Sequence, residues 1–350
     1  MELALYAPGL GYYVAGAQKF GAEGDFVTAP EISPLFGRCI ARQCREVLDV
    51  LGGGDVLELG AGSGALAADL LSALLANSGF SGRYLILEPS PELRARQRAL
   101  LAERVPVLVD RICWLERLPE AFTGVVLANE VADAMPVHRF RIREDGSAGE
   151  VMVGPRGDRW EEQAADPVSP GLEGAVRALQ SEGLAVTPGY GSEINLRLRP
   201  WIAALAGALR RGLVLVIDYG YPRREYYHPE RSEGTLLCHH RHRAHGDPYR
   251  YIGLQDITAN VDFTALAEAG AEAGLGVAGY TTQAHFLIGC GLDALLADAM
   301  EGDGGVELIL GAKQLVLPSA MGERFCVFAL TKGIEGSWRG FSVRDLRGRL

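Results

Sequence analysis

Apolar residues follow two rhythms along the 350 positions. Short, nearly continuous apolar runs at 55–59, 83–87, 111–114 and 124–128 are bounded by turn residues and read as strands buried on both faces. Between them, at 65–75 and 91–103, apolar residues recur at helical spacing. Strands separated by helices of this length predict a parallel sheet covered on both sides. A helix over 35–51 precedes the first strand: Ser33 and Pro34 suit its start and Gly52-Gly53-Gly54 its stop. Farther on, 138–160 alternates like a short antiparallel excursion. The pattern then predicts a helix at 172–181, a Gly-rich loop before 195, a helix at 196–210 and a buried strand at 212–221. It closes with a helix at 263–273 and strands at 277–281 and 324–331.

The rest of the chain breaks these rhythms. Residues 8–34 are dense in Gly and Pro and read as loops and turns, yet they are too apolar for a solvated linker, so they pack on the body or close over a site. Residues 222–256 are polar, rich in His and Arg, and read as an exposed loop that includes Tyr226 and Tyr227. The expected organisation is a lid segment and first helix (1–50), the first part of the core (51–137), an inserted α+β excursion (138–195), a core helix and fifth strand (196–221), a His/Arg-rich insertion (222–260) and the end of the core (261–350).

Composition changes this picture only by exclusion. Apolar content of 48% and charged content of 22% are those of a globular protein. A net charge of -10 argues against a nucleic-acid partner, which would attract clustered Lys and Arg. The six cysteines are scattered without a C-x-x-C pair, so no disulfide framework or zinc site is expected. The cluster Cys238, His239, His240, His242, His245 lacks metal-ligand spacing, and no metal is expected. The start, MELALYAPGLGYY, has no basic and then apolar run, so no signal peptide and a cytoplasmic location are expected. No apolar run is long enough to span a membrane.

Candidate chemistry sits at the strand ends, where open α/β sheets bind ligands. Gly60, Gly62 and Gly64 follow the first strand in VLELGAGSG, and glycine there lets backbone approach a ligand. The same residues satisfy the loose dinucleotide fingerprint, or simply a tight strand–helix turn. Glu58, two places before the first glycine, suits an α-ammonium group and would repel a pyrophosphate. Glu88 ends the second strand, next to Pro89, where a carboxylate can accept from ribose hydroxyls or favour the following helix N-terminus. Asn129, Glu130 and Asp133 end the fourth strand. Two carboxylates three residues apart can grip a guanidinium or take a proton from a nitrogen nucleophile; a solvated loop with a helix cap is the alternative. No G-x-S-x-G elbow supports a hydrolase, and Ser192-Glu193 shows no triad logic.

The motifs GDFVTAPEISPLFG, VLELGAGSG, LEPSPELRARQ, LANEVADAMPVHRF, LVIDYGYP, GTLLCHHRHRAH and QDITANVDF occur in one order over nearly the whole chain. The sequence thereby resembles the MidA family of S-adenosylmethionine-dependent methyltransferases, which includes a mitochondrial protein arginine methyltransferase of respiratory complex I assembly. The resemblance implies a Rossmann-like class I methyltransferase fold, a mostly parallel sheet with helices on both faces, plus an N-terminal lid and an inserted subdomain. It implies S-adenosyl-L-methionine as cofactor and a protein arginine as methyl acceptor; a non-catalytic assembly factor that binds the same cofactor, or a methyltransferase of small molecules, are the alternatives. A homodimer is compatible with it. By position, Glu58, Gly60, Gly62, Gly64, Glu88 and Pro89 would hold the cofactor, and Asn129, Glu130 and Asp133 would serve the acceptor. Asp25, Phe26, Thr28, Pro30 and Glu31 would belong to the lid, Asp218 and Tyr219 to the end of the fifth strand, and Asp256, Thr258 and Asp262 to the pocket side of the insertion. Two departures bear on the acceptor: Val131 and Ala132 stand where bulkier residues are usual, which predicts a wider pocket, and the chain begins later than expected, which predicts a shortened lid.

Overall fold

The computed structural model describes residues 1–14, 27–76, 79–300 and 305–350. Its centre is a twisted sheet of β1 (Asp55–Leu59), β2 (Tyr84–Leu87), β3 (Ile112–Leu115), β4 (Phe122–Asn129), β5 (Leu209–Tyr221), β6 (Gly276–Thr282) and β7 (Phe325–Lys332). The spatial order is β6-β7-β5-β4-β1-β2-β3, with the short strand Val261–Asp262 also pairing with β5. β1 to β5 run parallel, and β7 enters antiparallel between β5 and β6. This is the class I methyltransferase sheet, with sequence order reversing at β1, so the first strand end lies at the topological switch point where ligands bind.

Each sheet face carries its own core. Helices Pro34–Leu51 and Ala65–Ala76 bury Leu35, Phe36, Ile40, Leu66 and Leu70 on one face. Helices Leu198–Ala208 and Phe263–Glu272 bury Ile202, Leu205, Phe263 and Leu266 on the other. The helix Pro34–Leu51 starts as the sequence predicts, with the Ser33 hydroxyl accepting from the Leu35 N–H, and stops at Gly52 in the left-handed region.

At the end of the sheet away from those strand tips, glycines set the register. Gly124 and Gly212 have φ of +147° and +146°, and they pair with Asp55 and Gly124 across neighbouring strands. A Cβ at Gly124 would lie 1.8 Å from the Asp55 carbonyl oxygen, and one at Gly212 1.8 Å from that of Gly124. No side chain fits either position, so three strands are locked side by side at one height.

Several expectations are corrected. Residues 222–256 are no exposed loop: Leu237–His240, Arg243–His245 and Asp256–Thr258 form a three-stranded sheet. Its hairpin turns on Arg241 and His242, both at positive φ, where Asn-Gly would have given the turn away. Tyr226 and Tyr227 are buried, packing with Phe140 and Val176 of the inserted excursion. The Gly-rich stretch before residue 195 contains the strand Gly191–Ile194, which pairs with His138–Ile142 in a four-stranded antiparallel sheet. Residues 282–323, to which the pattern assigns no element, supply helices Gln283–Gly289, Leu292–Met300 and Gly305–Val316. The segment expected to be loops and turns also holds the short helix Ala29–Ile32, just after the described gap, and the helix Glu2–Tyr6 precedes it. Leu5 and Tyr12 pack on Cys238 and Ile257, so the N-terminus and the second insertion share a small core. Among the described residues no helix is long and apolar enough to cross a membrane.

Candidate active site

The strand tips open into a cavity of about 960 Å³, within the size range of small-ligand and cofactor pockets. On one side β1 passes into the glycine loop. Gly60, Gly62 and Gly64 have φ of +63°, +52° and +88°, all in the left-handed region that glycine tolerates. Gly60 and Gly62 line the cavity. Gly64 does not; its α-carbon faces Gln97, which a Cβ would meet at 3.4 Å.

Glu58 is buried, and its Oε2 accepts from the Tyr84 hydroxyl at 2.7 Å. Burial pushes its pKa up to about 7, the charge of Glu88 adds to the rise, and the Tyr84 hydrogen bond holds it back. Glu58 therefore has a structural partner and still lines the cavity. Glu88 accepts from the Ser90 N–H at 2.9 Å and from Gln97 Nε2 at 3.3 Å. It too lines the cavity, with Pro89.

Gln97 ties this side together. Its amide nitrogen also donates to the Gly62 carbonyl at 2.9 Å, and its oxygen accepts from Trp114 Nε1 at 2.9 Å. Glycine loop, Glu88 and β3 thus share one fully buried side chain. The sequence carried a signal for it: Leu93, Gln97 and Leu101 form the buried stripe of the helix Pro91–Arg104, and a polar residue inside an apolar stripe needs a partner.

On the other side β4 ends at Asn129, and Glu130 turns the chain with φ of +53°, a strained conformation for a non-glycine residue. Asp218, fully buried at the end of β5, accepts from the N–H groups of Ala132 and Asp133 at 3.0 and 3.2 Å. It shapes the loop from behind and does not line the cavity. Tyr219 donates to Asp133 Oδ2. Asn129 Oδ1 and Asp133 Oδ1 are buried with no hydrogen-bond partner among the described residues. Asn129 Nδ2 donates to Glu130 Oε1 at 3.3 Å. Burial, then the charge of Asp133, pushes Glu130 up to about 8, against the pull of the Asn129 amide. Burial raises Asp133 to about 6 against the Tyr219 hydrogen bond.

The N-terminal segment covers this acceptor-facing end. The hydroxyl of Tyr6 donates to the Ala134 carbonyl at 2.9 Å, and that of Tyr13 to Asp256 Oδ1 at 2.8 Å. The two rings stack with centroids 5.5 Å apart. The sequence assigned neither tyrosine a role. Thr28, Pro30, Tyr219 and Asp256 line the cavity. Glu31 does not: it accepts from the Thr28 N–H and hydroxyl, closing a capping box on Ala29–Ile32. Thr258 donates to the Leu237 carbonyl, and Asp262 caps the helix Phe263–Glu272 and pairs with Arg223; both stand behind the wall. Asp25 and Phe26 lie outside the described residues. The described residues hold no group of His, Cys, Asp or Glu arranged for a metal ion.

Charge distinguishes the cavity. Glu58, Glu88, Glu130, Asp133 and Asp256 line it, against one Arg, Arg324, among the described residues. Such a lining suits ligands that bring positive charge.

Comparisons with known proteins agree on the class. A family model for S-adenosyl-L-methionine-dependent methyltransferases matches residues 39–281. The chain is 29% identical to the mitochondrial protein arginine methyltransferase NDUFAF7 of Danio rerio, covering 94% of this chain and 82% of that one. It is 31% identical to the Mus musculus protein of the same name, with 94% and 79% covered. A crystal structure of a COG1565 superfamily member from Burkholderia thailandensis bound to S-adenosyl-homocysteine superposes with a TM-score of 0.94 at 42% identity, covering 100% of this chain and 90% of that one. The expected cytoplasmic location is corrected by the NDUFAF7 relatives, which align over 94% of the chain and are named as mitochondrial proteins.

Proposed function

The chain belongs to the S-adenosyl-L-methionine-dependent methyltransferase family, and from that premise we propose that it methylates the guanidinium of an arginine in a protein substrate. The carrying observation is the second carboxylate group, Glu130 and Asp133, facing the same cavity as the glycine loop. The relatives named as protein arginine methyltransferases support the same acceptor.

The cavity fits the cofactor on its own chemistry. Gly60 and Gly62 offer close backbone approach, Glu58 suits an ammonium, and Glu88 with Pro89 suits a ribose beyond β2. When bound, S-adenosylmethionine supplies an electrophilic methyl group on a sulfonium that needs no acid to leave. The protein's remaining task is alignment. Glu130 and Asp133 orient the guanidinium, with Tyr219 fixing one oxygen of Asp133. A carboxylate pair of raised pKa is also placed to take the proton that the guanidinium nitrogen gives up on methylation. Tyr6, Tyr13 and Tyr219 add aromatic faces for a cation. The resemblance further supports a homodimer, which light scattering on the purified protein decides.

The test is transfer of labelled methyl groups to protein acceptors, followed by complete hydrolysis and identification of the modified amino acid. Methylarginine is the expected product; methyl-lysine or label only in small molecules would overturn the acceptor assignment. Glu130→Gln should cut turnover by roughly a hundredfold or more while leaving affinity for S-adenosyl-homocysteine nearly intact. A variant with full turnover would remove Glu130 from the acceptor side.

A further inference from the structure

Glu193 lies in the inserted four-stranded sheet, away from the cavity, and is fully buried. Its Oε1 accepts from the Tyr226 hydroxyl at 2.8 Å, the Thr235 N–H at 2.8 Å and the Thr235 hydroxyl at 2.5 Å. Its Oε2 is buried with no partner among the described residues, wedged against Gly234, where a Cβ would fall 2.1 Å away. A buried carboxylate left half-satisfied is costly, and its bonds reach across from the first insertion to the second.

The bonds continue toward the cavity. Because the Thr235 hydroxyl gives its proton to Glu193, its lone pairs face away, and one accepts from the Asn260 N–H at 2.9 Å. Asn260 lines the cavity. The neighbouring Ala259 N–H donates to the carbonyl of Asp133 at 3.0 Å. Two residues beyond Glu193, Asn195 Nδ2 reaches the Ala132 carbonyl at 3.5 Å. The loop carrying Glu130 and Asp133 is therefore held from the insertions at two adjacent carbonyls.

We propose that Glu193 is a positioning residue for the loop 130–134, acting through Thr235 and the backbone of Ala259 and Asn260. It touches no substrate; it fixes the height at which Asp133 meets the acceptor. The inference rests on reading Asp133 as an acceptor-side carboxylate. Glutamine keeps an acceptor at Oε1 and should preserve the arrangement; alanine removes it. Thr235→Val cuts the relay at its middle, whereas Tyr226→Phe removes a bond to Glu193 and a 3.3 Å contact to the Thr235 hydroxyl but leaves the Thr235 bonds to Glu193 and Asn260 in place.

Hydrogen exchange followed by mass spectrometry reads the relay without any acceptor. In Glu193→Ala and Thr235→Val, protection of Ala259 and Asn260 should fall roughly tenfold, with a smaller loss over 130–134. Glu193→Gln and Tyr226→Phe should keep both segments within about twofold of the parent. With a methyl acceptor, Glu193→Ala should lower kcat at unchanged affinity for S-adenosyl-homocysteine, and Glu193→Gln should restore it. Unchanged exchange in both segments for Thr235→Val, or equal losses for Thr235→Val and Tyr226→Phe, would overturn the proposal. Neither outcome depends on arginine being the acceptor, whereas failure to form methylarginine with exchange behaving as expected would count against the acceptor alone.

Discussion

Glu130 and Glu58 show what the cavity costs the fold. Both are acids held against burial, at about 8 and about 7, and Glu130 also sits at φ of +53°. In the unfolded chain each would titrate near the ordinary value of 4.5. Between that value and about 8 the native protein binds more protons than the unfolded one, so stability falls as pH rises through the window and levels off above it. A melting series over this range should show that slope in the ligand-free protein. Glu58→Gln should lessen the slope up to about pH 7 and Glu130→Gln up to about pH 8; a flat parent profile would mean that neither acid is held protonated. Glu58, Glu88 and the pair Glu130 and Asp133 were legible in sequence because a carboxylate ending an apolar run has no cheap explanation. Glu193 was not, because its partners come from 226 and 235, and no local pattern shows what folds onto it.

Among elements, those with a strong local rhythm were readable and those defined by their neighbours were not. The helix Pro91–Arg104 was expected over nearly its full length, yet its main contribution is one internal glutamine. Gln97→Ala would leave the Gly62 carbonyl and Trp114 Nε1 without their partner. Calorimetry should show S-adenosyl-homocysteine binding weakened by roughly tenfold, the scale of one buried hydrogen bond; unchanged affinity would mean that the glycine loop holds its shape alone. β1 to β4 were located to within two residues because continuous apolar runs mark doubly covered strands. The hairpin at Arg241 and His242 escaped because its positive φ angles fall on residues that give no turn signal. The strand Gly191–Ile194 exists by pairing with His138–Ile142, which spacing along the chain cannot show.

For the whole molecule, sheet order and layering follow from the βα alternation, while the enclosure of the cavity depends on segments distant in sequence, Tyr6 and Tyr13 of the N-terminus meeting the insertion that carries Asp256 and Asn260. A ligand bound only by this closed native form raises its stability by about 2.7 kcal/mol at a hundred times its dissociation constant. Thermal melting with S-adenosyl-homocysteine should therefore move upward in the parent and hardly at all in Glu88→Ala; equal shifts would place the nucleoside elsewhere. The glycine contacts at the far end of β1, β4 and β5 limit how such a molecule can be altered. Three strands wedged together with no room for a methyl group cannot creep past one another in small steps, so the end that receives the cofactor is effectively cast in one piece. New substrates can be accommodated only by recutting what is bolted on around it, the N-terminal segment and the two insertions, as a machinist changes the jaws of a chuck and leaves the spindle alone.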